Sequence, residues 1–557
     1  MIKTIYLTLF IQSCIYQHIM GQKTFSFPEP EIIEIREDGI DVAWTFSEAV
    51  SAYIQWHAVS SVEHGFVSLT EKDRVKVWKF DQGKPASFYR ARISIIYPGD
   101  TIHGPFHVFS TRSLSKGKIQ VYFNHPVSYE AAGKTRACFV NKTLDDSLIS
   151  FINKAKETID MAIYNGSYAS SFSGLASALN NAVQRGIQVR IIYNASSSNS
   201  LITKLSPVIG KLPSKIGEPY GLMHNKFMII DADAEDPDQS LVWTGSANWI
   251  PEQMDGPDEN NVVLIRDQAL ARAYKTEFEE MYGGSGPFPN PTKSRFGYEK
   301  QDNTPHVFLV GGIKVRCYFS PSDQTNKQIL DVLNSASNDI EFASMVITRY
   351  DLAGAIEDKI QKGLEKVSGI IDDSSASYPA PIIWKQLKGS MGNGELISHN
   401  GFPGFMHHKF MIADATNSAS DPQVLTGSHN WTYAAEEKND ENTIIIHDPV
   451  LSNEFYQAFS WLKQQHGRYS GLADFSEEKI GFCLYPNPFH HHLKLIFKDN
   501  SSGTQIILRK IQGESISTFN IDKGQREYEF DLSFLEAGIY FMEIQGKSKG
   551  FIRLIHY

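Results

Sequence analysis

His224-Asn225-Lys226-Phe227-Met228-Ile229-Ile230-Asp231 returns later in the same chain as His407-His408-Lys409-Phe410-Met411-Ile412-Ala413-Asp414. Each copy runs into a Gly-Ser-x-Asn-Trp segment, at Gly245, Ser246, Asn248 and Trp249 and again at Gly427, Ser428, Asn430 and Trp431. An Asp-Glu-Asn follows each, at Asp258-Glu259-Asn260 and Asp440-Glu441-Asn442. Three elements in one order, twice in one chain, mark a duplicated unit. The apolar run after each Lys reads as a strand, whose two-residue period puts His and Lys on one face and the residue between them on the other. Spacing to Lys409 and Asp414 therefore selects His407, while His408 takes the place of Asn225 and points away.

Outward from these segments, strands and helices alternate. Ile119 to Phe123 reads as a strand and Thr143 to Thr158 as a helix with Leu144, Leu148, Phe151, Ile152, Ala155 and Ile159 on one face. A strand from Met161 to Tyr164, a helix around Leu175 to Gln184 closed by Gly186, and a strand from Ile187 to Tyr193 follow. The second half repeats the order: strand Val315 to Phe319, helix Lys327 to Ser337, strand Ile340 to Ile347, helix Leu352 to Lys362 closed by Gly363, strand Val367 to Ile371. The whole α/β unit is duplicated, and Gly283 to His306, rich in Gly and Pro, reads as the connector.

Two His and two Lys delivered by duplicated halves can converge on one phosphate. The Gly-Ser-x-Asn segments, at the ends of the next strands, aim a hydroxyl and an amide at the same edge, and these with a Lys ammonium are what phosphate oxygens need. A neutral imidazole can attack phosphorus and form a phosphohistidine, splitting one displacement into two. The second His, protonated, serves the leaving alkoxide and later the incoming water, for which its reference pKa of about 6.5 is suited. The lysines and asparagines stabilise charge on the non-bridging oxygens. Glu259 and Glu441 are the candidates for the partner of each His's other ring nitrogen, with Asp231 and Asp414 supporting the loops or the lysines. No carboxylate cluster is spaced as a ligand set, so no metal and no cofactor is expected.

The doubled His-x-Lys-x4-Asp resembles the signature of the phospholipase D superfamily, over about Lys118 to Arg468. The resemblance implies a duplicated α/β/α sandwich with both halves forming one active site. It carries catalytic roles onto His224, Lys226, Asp231, His407, Lys409 and Asp414. Substrate phosphate-binding and orienting roles fall to Ser246, Asn248, Ser428, Asn430, Glu259 and Glu441. It implies His224 as nucleophile and His407 as acid and base. Head-group hydrolysis of phospholipids at a membrane or micelle surface is the expected activity; a nuclease of the same superfamily is the alternative, and a cell-surface binding protein a third possibility that the intact motifs oppose. Both halves close one site within the chain, so a monomer is expected.

The flanks read as β-sandwich domains. From Phe25 to Thr111 apolar and aromatic residues alternate, as in Ile40-Asp41-Val42-Ala43-Trp44 and Tyr89-Arg90-Ala91-Arg92-Ile93, and the segment resembles a fibronectin type III-like module. After Gly471, Tyr485-Pro486-Asn487-Pro488-Phe489 and Gly538-Ile539-Tyr540-Phe541 resemble the C-terminal sorting domain of type IX secretion substrates. That resemblance implies contact with the secretion machinery and passage through the outer membrane to a secreted or cell-surface attached location. Lys3 and the apolar Ile5 to Ile11 read as an export signal. The expected division is a signal at 1–21, the first β domain at 22–113, the two α/β halves at 114–290 and 291–472, and the sorting domain at 473–557. Formal charge is −10 on 557 residues, so no global positive field draws the chain to polyanions. Of four cysteines Cys14 would leave with the signal, and the widely spaced Cys138, Cys317 and Cys483 read as buried free thiols, not a disulfide framework. His490-His491-His492 reads as solvent-facing, and the acidic run Asp231 to Asp238 as a solvated loop.

Overall fold

The computed structural model describes residues 26–557 apart from 98–99, 373–378, 393–394, 400–403, 474–481, 486–491, 498–503, 511–513, 526, 537, 546–549 and 557; before residue 26 it describes only 19–20 and 23–24. Most of the expected signal, the Pro-Asn-Pro of the sorting segment and His490-His491 lie outside the described residues. Two compact units form, residues 1–396 with 404–460, and residues 397–403 with 461–557. Among the described residues no helix is long and apolar enough to cross a membrane.

The duplication read from the motifs is a duplication of sheet topology. Six strands run in the order Lys118–Phe123, Asn261–Arg266, Leu241–Gly245, Lys226–Ile230, Thr158–Ile163, Gln188–Tyr193 in the first half. The second half repeats this as Ile313–Ser320, Glu441–His447, Gln423–Gly427, Lys409–Ala413, Asp339–Ser344, Lys366–Ile371. Only the edges differ: Cys138–Phe139 adds parallel to the first sheet, Val307–Val310 antiparallel to the second. Both central strands, Lys226–Ile230 and Lys409–Ala413, are buried at every residue, because the sheets are covered on both faces. Met228 and Ile230 enter the core under helices Leu144–Lys154 and Gly174–Gln184, and Phe227 packs edge-on against Tyr274 of helix Gln268–Tyr282 on the opposite face. Burial of such side chains contributes about 1.5–3 kcal/mol each.

The first helix is shorter than its apolar periodicity suggests, while the other three fall within two residues of the expected bounds. The first ends at Lys154, where Ala155 turns extended (φ −57°, ψ 139°), which frees Thr158–Ile163 to begin as a strand three residues earlier than expected. Gly186 and Gly363 close their helices with φ of +87° and +96°. Helix Ala380–Met391 has no counterpart in the first half, where a short 3-10 turn at Ser200–Lys204 stands between strands Gln188–Tyr193 and Gly210–Pro213. In the sequence, Ser374 to Pro381 reads as a loop and no helix is read after it.

In the N-terminal β domain Ile40–Trp44 opens one long bent strand, Ile40–Ala58, whose register to His64–Phe80 shifts between Thr45 and Ala52. That strand pairs with Glu31–Ile35 before the bend and Phe88–Tyr97 after it, so a single antiparallel path wraps a core of Trp44, Trp78, Ile54, Tyr89 and Ile93. The second unit holds a three-stranded and a four-stranded antiparallel sheet, with Leu493, Leu495, Ile506, Leu508, Phe530, Met542 and Leu554 between them. Cys317 is buried, but Cys138 is exposed, correcting the expectation for that thiol: it sits at a sheet edge only two residues long.

Candidate active site

Both central strands begin at the motif lysine, so His224 and His407 stand on the approach to the strand and Lys226 and Lys409 on its first residue. Each Lys Nζ donates to the carbonyl of its own His two residues earlier, at 2.7 Å in both halves. All four side chains are nearly withdrawn from solvent. Main-chain bonds lock the approaches across the halves. His224 N–H donates to Asp440 O and Asp440 N–H to Leu222 O, while His407 N–H donates to Glu259 O and Glu259 N–H to Phe405 O. One site is thus built from both halves.

The histidines differ in what holds them. His224 Nδ1 lies 2.8 Å from Glu441 Oε2, supplied by the other half. A carboxylate only accepts, so Nδ1 carries the hydrogen and Nε2 keeps its lone pair. His407 Nδ1 lies 3.0 Å from Asn260 Oδ1, an amide. Here the structure corrects the expectation for Glu259. The strand register pairs Gly245 with Val262 and Gly427 with Thr443, which superposes Asn260, not Glu259, on Glu441; the two Asp-Glu-Asn triplets are offset by one. Glu259 instead takes the place of Asp440, giving its main chain to His407.

Ser246 and Ser428 are fully buried. Ser428 Oγ donates to Glu441 Oε2 at 2.7 Å and Ser246 Oγ to Asn260 Oδ1 at 2.9 Å, so each orients the partner of a histidine and neither reaches outward to a phosphate. Asn248 donates through Nδ2 to Gln253 Oε1 at 2.9 Å, and Oδ1 of both Asn248 and Asn430 is buried without a hydrogen bond. Trp249 and Trp431 are core residues.

Asp231 and Asp414 are not brought to the histidines and lysines, a correction to their expected catalytic place. They stand at the far end of five-residue strands, about 16 Å along the chain from the lysines at 3.3 Å per residue. Both adopt left-handed φ, +52° and +61°. Asp231 accepts the N–H groups of Lys156, Glu157 and Thr158 at 2.8–2.9 Å. Asp414 accepts those of Ser337 and Asn338 at 2.9 and 2.7 Å and the Ser337 hydroxyl. Each closes the turn onto the neighbouring strand. His408 does point away from the site: its Nδ1 accepts from Asn261 Nδ2 at 2.9 Å, and its Nε2 lies 2.8 Å from Nε2 of His125. Asn225 mirrors it by accepting from Asn442 Nδ2 at 2.9 Å.

Electrostatically the site is short of negative charge. Burial drives His224 down to about 4, Glu441 opposing and Lys226 and Lys409 adding to the fall. Burial and repulsion from Lys409, Lys226 and His224 hold His407 well below its ordinary value. Burial brings Lys409 to about 7 and Lys226 well below the usual lysine range. Burial alone would raise Glu441, yet His224 and Lys226 keep it at about 2, an ionised carboxylate beside a neutral imidazole. Such a pocket gains an anion favourably, because an anion restores the charge that burial removes. Away from it, Asp302, His306 and Asp323 come within ligand distance of one another, but His306 already bridges Asp302 Oδ1 and the Cys317 carbonyl, each at 3.0 Å. Despite burial, Asp302 and Asp323 raise it to about 9; the group reads as an imidazolium clamp.

This composite His–Lys site on a duplicated α/β sheet defines a phosphodiesterase architecture, and similarity to known proteins agrees. The family described as "Cardiolipin synthase, PLD-like domain" matches residues 148–282 and again 329–463. A phospholipase D of Rickettsia conorii is 30% identical over 169 residues, 30% of this chain and 78% of that protein. A mitochondrial cardiolipin hydrolase of Drosophila melanogaster is 31% identical over 24% of this chain and 57% of its own length. Among solved structures, the Nuc member of the phospholipase D family from Salmonella typhimurium is 26% identical with a TM-score of 0.23, over 28% of this chain and 93% of that one. The phosphatidylserine synthase of Haemophilus influenzae is 14% identical with a TM-score of 0.42, over 58% and 83%. The chain belongs to the phospholipase D-like family of phosphoric diester hydrolases. Residues 483–555 match a secretion system C-terminal sorting domain.

Proposed function

We propose that this protein is an exported phospholipase D that hydrolyses phospholipids on the head-group side of the phosphodiester, through a phosphohistidine on His224. The observation that carries the roles is the unequal partnering of the histidines. Glu441 fixes the Nδ1–H form of His224, so Nε2 presents a lone pair to phosphorus, and the carboxylate stabilises the positive charge that grows on the ring as the N–P bond forms. His407, held by a neutral amide, gives up a proton readily once it has one. The bound phosphodiester anion supplies the charge that lets His407 and the two lysines be protonated. The P–O bond to the head group then breaks as His407 Nε2–H passes its proton to the leaving oxygen. Water next attacks phosphorus, neutral His407 takes its proton, the N–P bond breaks, and phosphatidate leaves. A primary alcohol in place of water would give transphosphatidylation.

Two relatives of this chain are named for phospholipid or cardiolipin hydrolysis, and the acidic balance of the sequence gives a polyanion no general attraction. The sorting domain supports export and cell-surface attachment. Lys226, Lys409 and the histidines supply the positive charge of the transition state, so activity is expected to persist in EDTA. The test is head-group release from phosphatidylcholine and phosphatidylethanolamine liposomes in EDTA, with single-stranded DNA cleavage in parallel and His224→Ala as blank. Release that disappears in the blank supports the lipid substrate. DNA cleavage without release would make the protein a nuclease of the same mechanism, and loss of all activity on chelation would sink the metal-free chemistry.

A further inference from the structure

We propose that the connector between the two halves is a positioning device for His224, acting through Lys300 on the Asp440-Glu441 dipeptide. The proposal rests on His224 being the nucleophile. Two of the contacts that orient His224 come from that dipeptide: Asp440 O accepts its main-chain N–H at 2.9 Å and Glu441 accepts its Nδ1–H. What holds the Asp440 carboxylate comes from the connector. Its Oδ1 accepts Gly297 N–H at 2.8 Å and lies 3.5 Å from Lys300 Nζ. Lys300, with no side-chain exposure, donates to Glu277 Oε1 at 2.5 Å and to Ser320 O at 2.6 Å. Ser320 is paired in register with Glu441 itself.

A single buried ammonium therefore ties three elements together next to the dipeptide: helix Gln268–Tyr282, strand Ile313–Ser320, and the turn at Asp440. Burial would discharge Lys300, but Glu277 and Asp440 outweigh it and push its pKa upward. Burial lifts Glu277 to about 8 and Asp440 to about 6 although Lys300 opposes both rises, so at neutral pH the charge facing the ammonium lies mainly on Asp440. Removing the ammonium leaves the Glu277 and Asp440 carboxyl groups facing a buried site without their shared cation, and the Asp440 turn reorganises. A shift of about 1 Å at a reacting group can cost 100-fold in rate. The connector occurs once in the chain, so the clamp serves one side of an otherwise duplicated scaffold, the side with the carboxylate-held histidine.

The test uses the full-length chain, folding checked by circular dichroism and melting temperature, with bis(4-nitrophenyl) phosphate as probe. Its leaving group needs no proton, so the rate reports on attack by His224. Lys300→Met is expected to lower kcat about 30-fold with KM within threefold, a pattern of lost orientation. Glu277→Gln, which weakens the ion pair but leaves Lys300 beside Asp440, is expected to lower the melting temperature while kcat stays within about threefold. In ¹⁵N-histidine-labelled protein the Nδ1–H resonance absent from His224→Ala should be lost or displaced in Lys300→Met and kept in Glu277→Gln. Unchanged kcat in Lys300→Met, or kcat falling in both variants in step with melting temperature, would overturn the proposal. If Lys300→Met does not fold, Asp440→Asn, which keeps the acceptor for Gly297, replaces it: a kcat loss of about tenfold is expected, and none would overturn the proposal equally. Activity surviving in His224→Ala would instead show that the nucleophile is misassigned.

Discussion

Glu441→Gln replaces the partner of His224 by the chemistry already found at His407, an amide oxygen accepting Nδ1–H. The tautomer is kept and the charge is lost. Both side chains are nearly solvent-free, 9% and 0% exposed, so water does not screen the change. A charge-assisted hydrogen bond is worth about 1 kcal/mol more than a neutral one. A full charge 4 Å away at an effective dielectric of 20 contributes about 4 kcal/mol. With roughly half a charge developed on the attacking imidazole, and the amide dipole recovering some of it, the net loss in the transition state is about 2–3 kcal/mol. That corresponds to kcat/KM about 30- to 150-fold lower. The loss should not vary above about pH 5: His224 titrates near 4 in the wild type, Glu441 raises it, and removing the carboxylate moves it further down, away from the assay range. The measurement is kcat/KM on bis(4-nitrophenyl) phosphate from pH 5 to 9. A variant within threefold of wild type would refute the electrostatic role of Glu441; one as dead as His224→Ala would show that orientation, not charge, is what Glu441 provides.

Four further outcomes follow from the same geometry. Asn260→Asp, which places a second carboxylate on His407, should raise that histidine's pKa and move the alkaline limb of kcat for lipid hydrolysis to higher pH; an unmoved limb argues against His407 as the acid. Asp414→Ala removes the acceptor of two close main-chain N–H groups and a hydroxyl and should cost about 3 kcal/mol of stability, with kcat of the folded protein little changed. Because N–H donation from Asn338 and Ser337 outweighs burial and holds the Asp414 carboxyl below its ordinary value, that stabilisation is complete above about pH 4 and fades as pH falls through the lowered folded value, so the melting difference between wild type and variant should shrink in acid. His408→Ala should lower the melting temperature by breaking the Asn261–His408–His125 chain, yet retain most kcat; damage equal to His407→Ala would contradict the register. Binding of inorganic phosphate at pH 8 should take up protons, since His407, Lys226 and Lys409 all have lowered pKa values in the free site, and calorimetric heats independent of buffer ionisation enthalpy would exclude it.

How much of this was legible in the sequence depended on whether a periodicity or a register was being read. Strand alternation alone placed His224 with Lys226 and turned His408 away, because a two-residue period leaves no choice once one face is assigned. The strands and helices that were named stood in the right order, since apolar spacing encodes it, but helices Gln268–Tyr282 and Ala380–Met391 were not read. For Asp231 and Asp414 two readings were open, the loops or the lysines, and strand length decides between them: five extended residues carry each to the other end of its strand, where it holds the turn. Glu259 was misplaced by identity. The Asp-Glu-Asn triplets align letter for letter, whereas pairing of Gly245 with Val262 and Gly427 with Thr443 shifts one triplet by a residue, and a one-residue slip in a strand changes which side chain faces the site.

That slip is where the duplicated scaffold stops being symmetric. Two identical halves would give two equivalent histidines, yet attack and proton transfer in the proposed reaction require one imidazole with a fixed lone pair and one that readily releases a proton. The backbone cannot make the distinction, since both histidines receive the same main-chain bonds and both lysines the same carbonyl contact. The difference lies in one residue, Glu441 against Asn260, and in a stretch that the duplication does not copy, the connector carrying Lys300. If so, exchanging the pair as Glu441→Gln with Asn260→Asp should not simply exchange the roles of the histidines. The carboxylate would then stand beside His407, but Lys300 would still hold the Asp440 turn beside His224, and the double variant should remain well below wild type. Full recovery of activity would mean that the single residue decides the roles and that the connector only joins the halves.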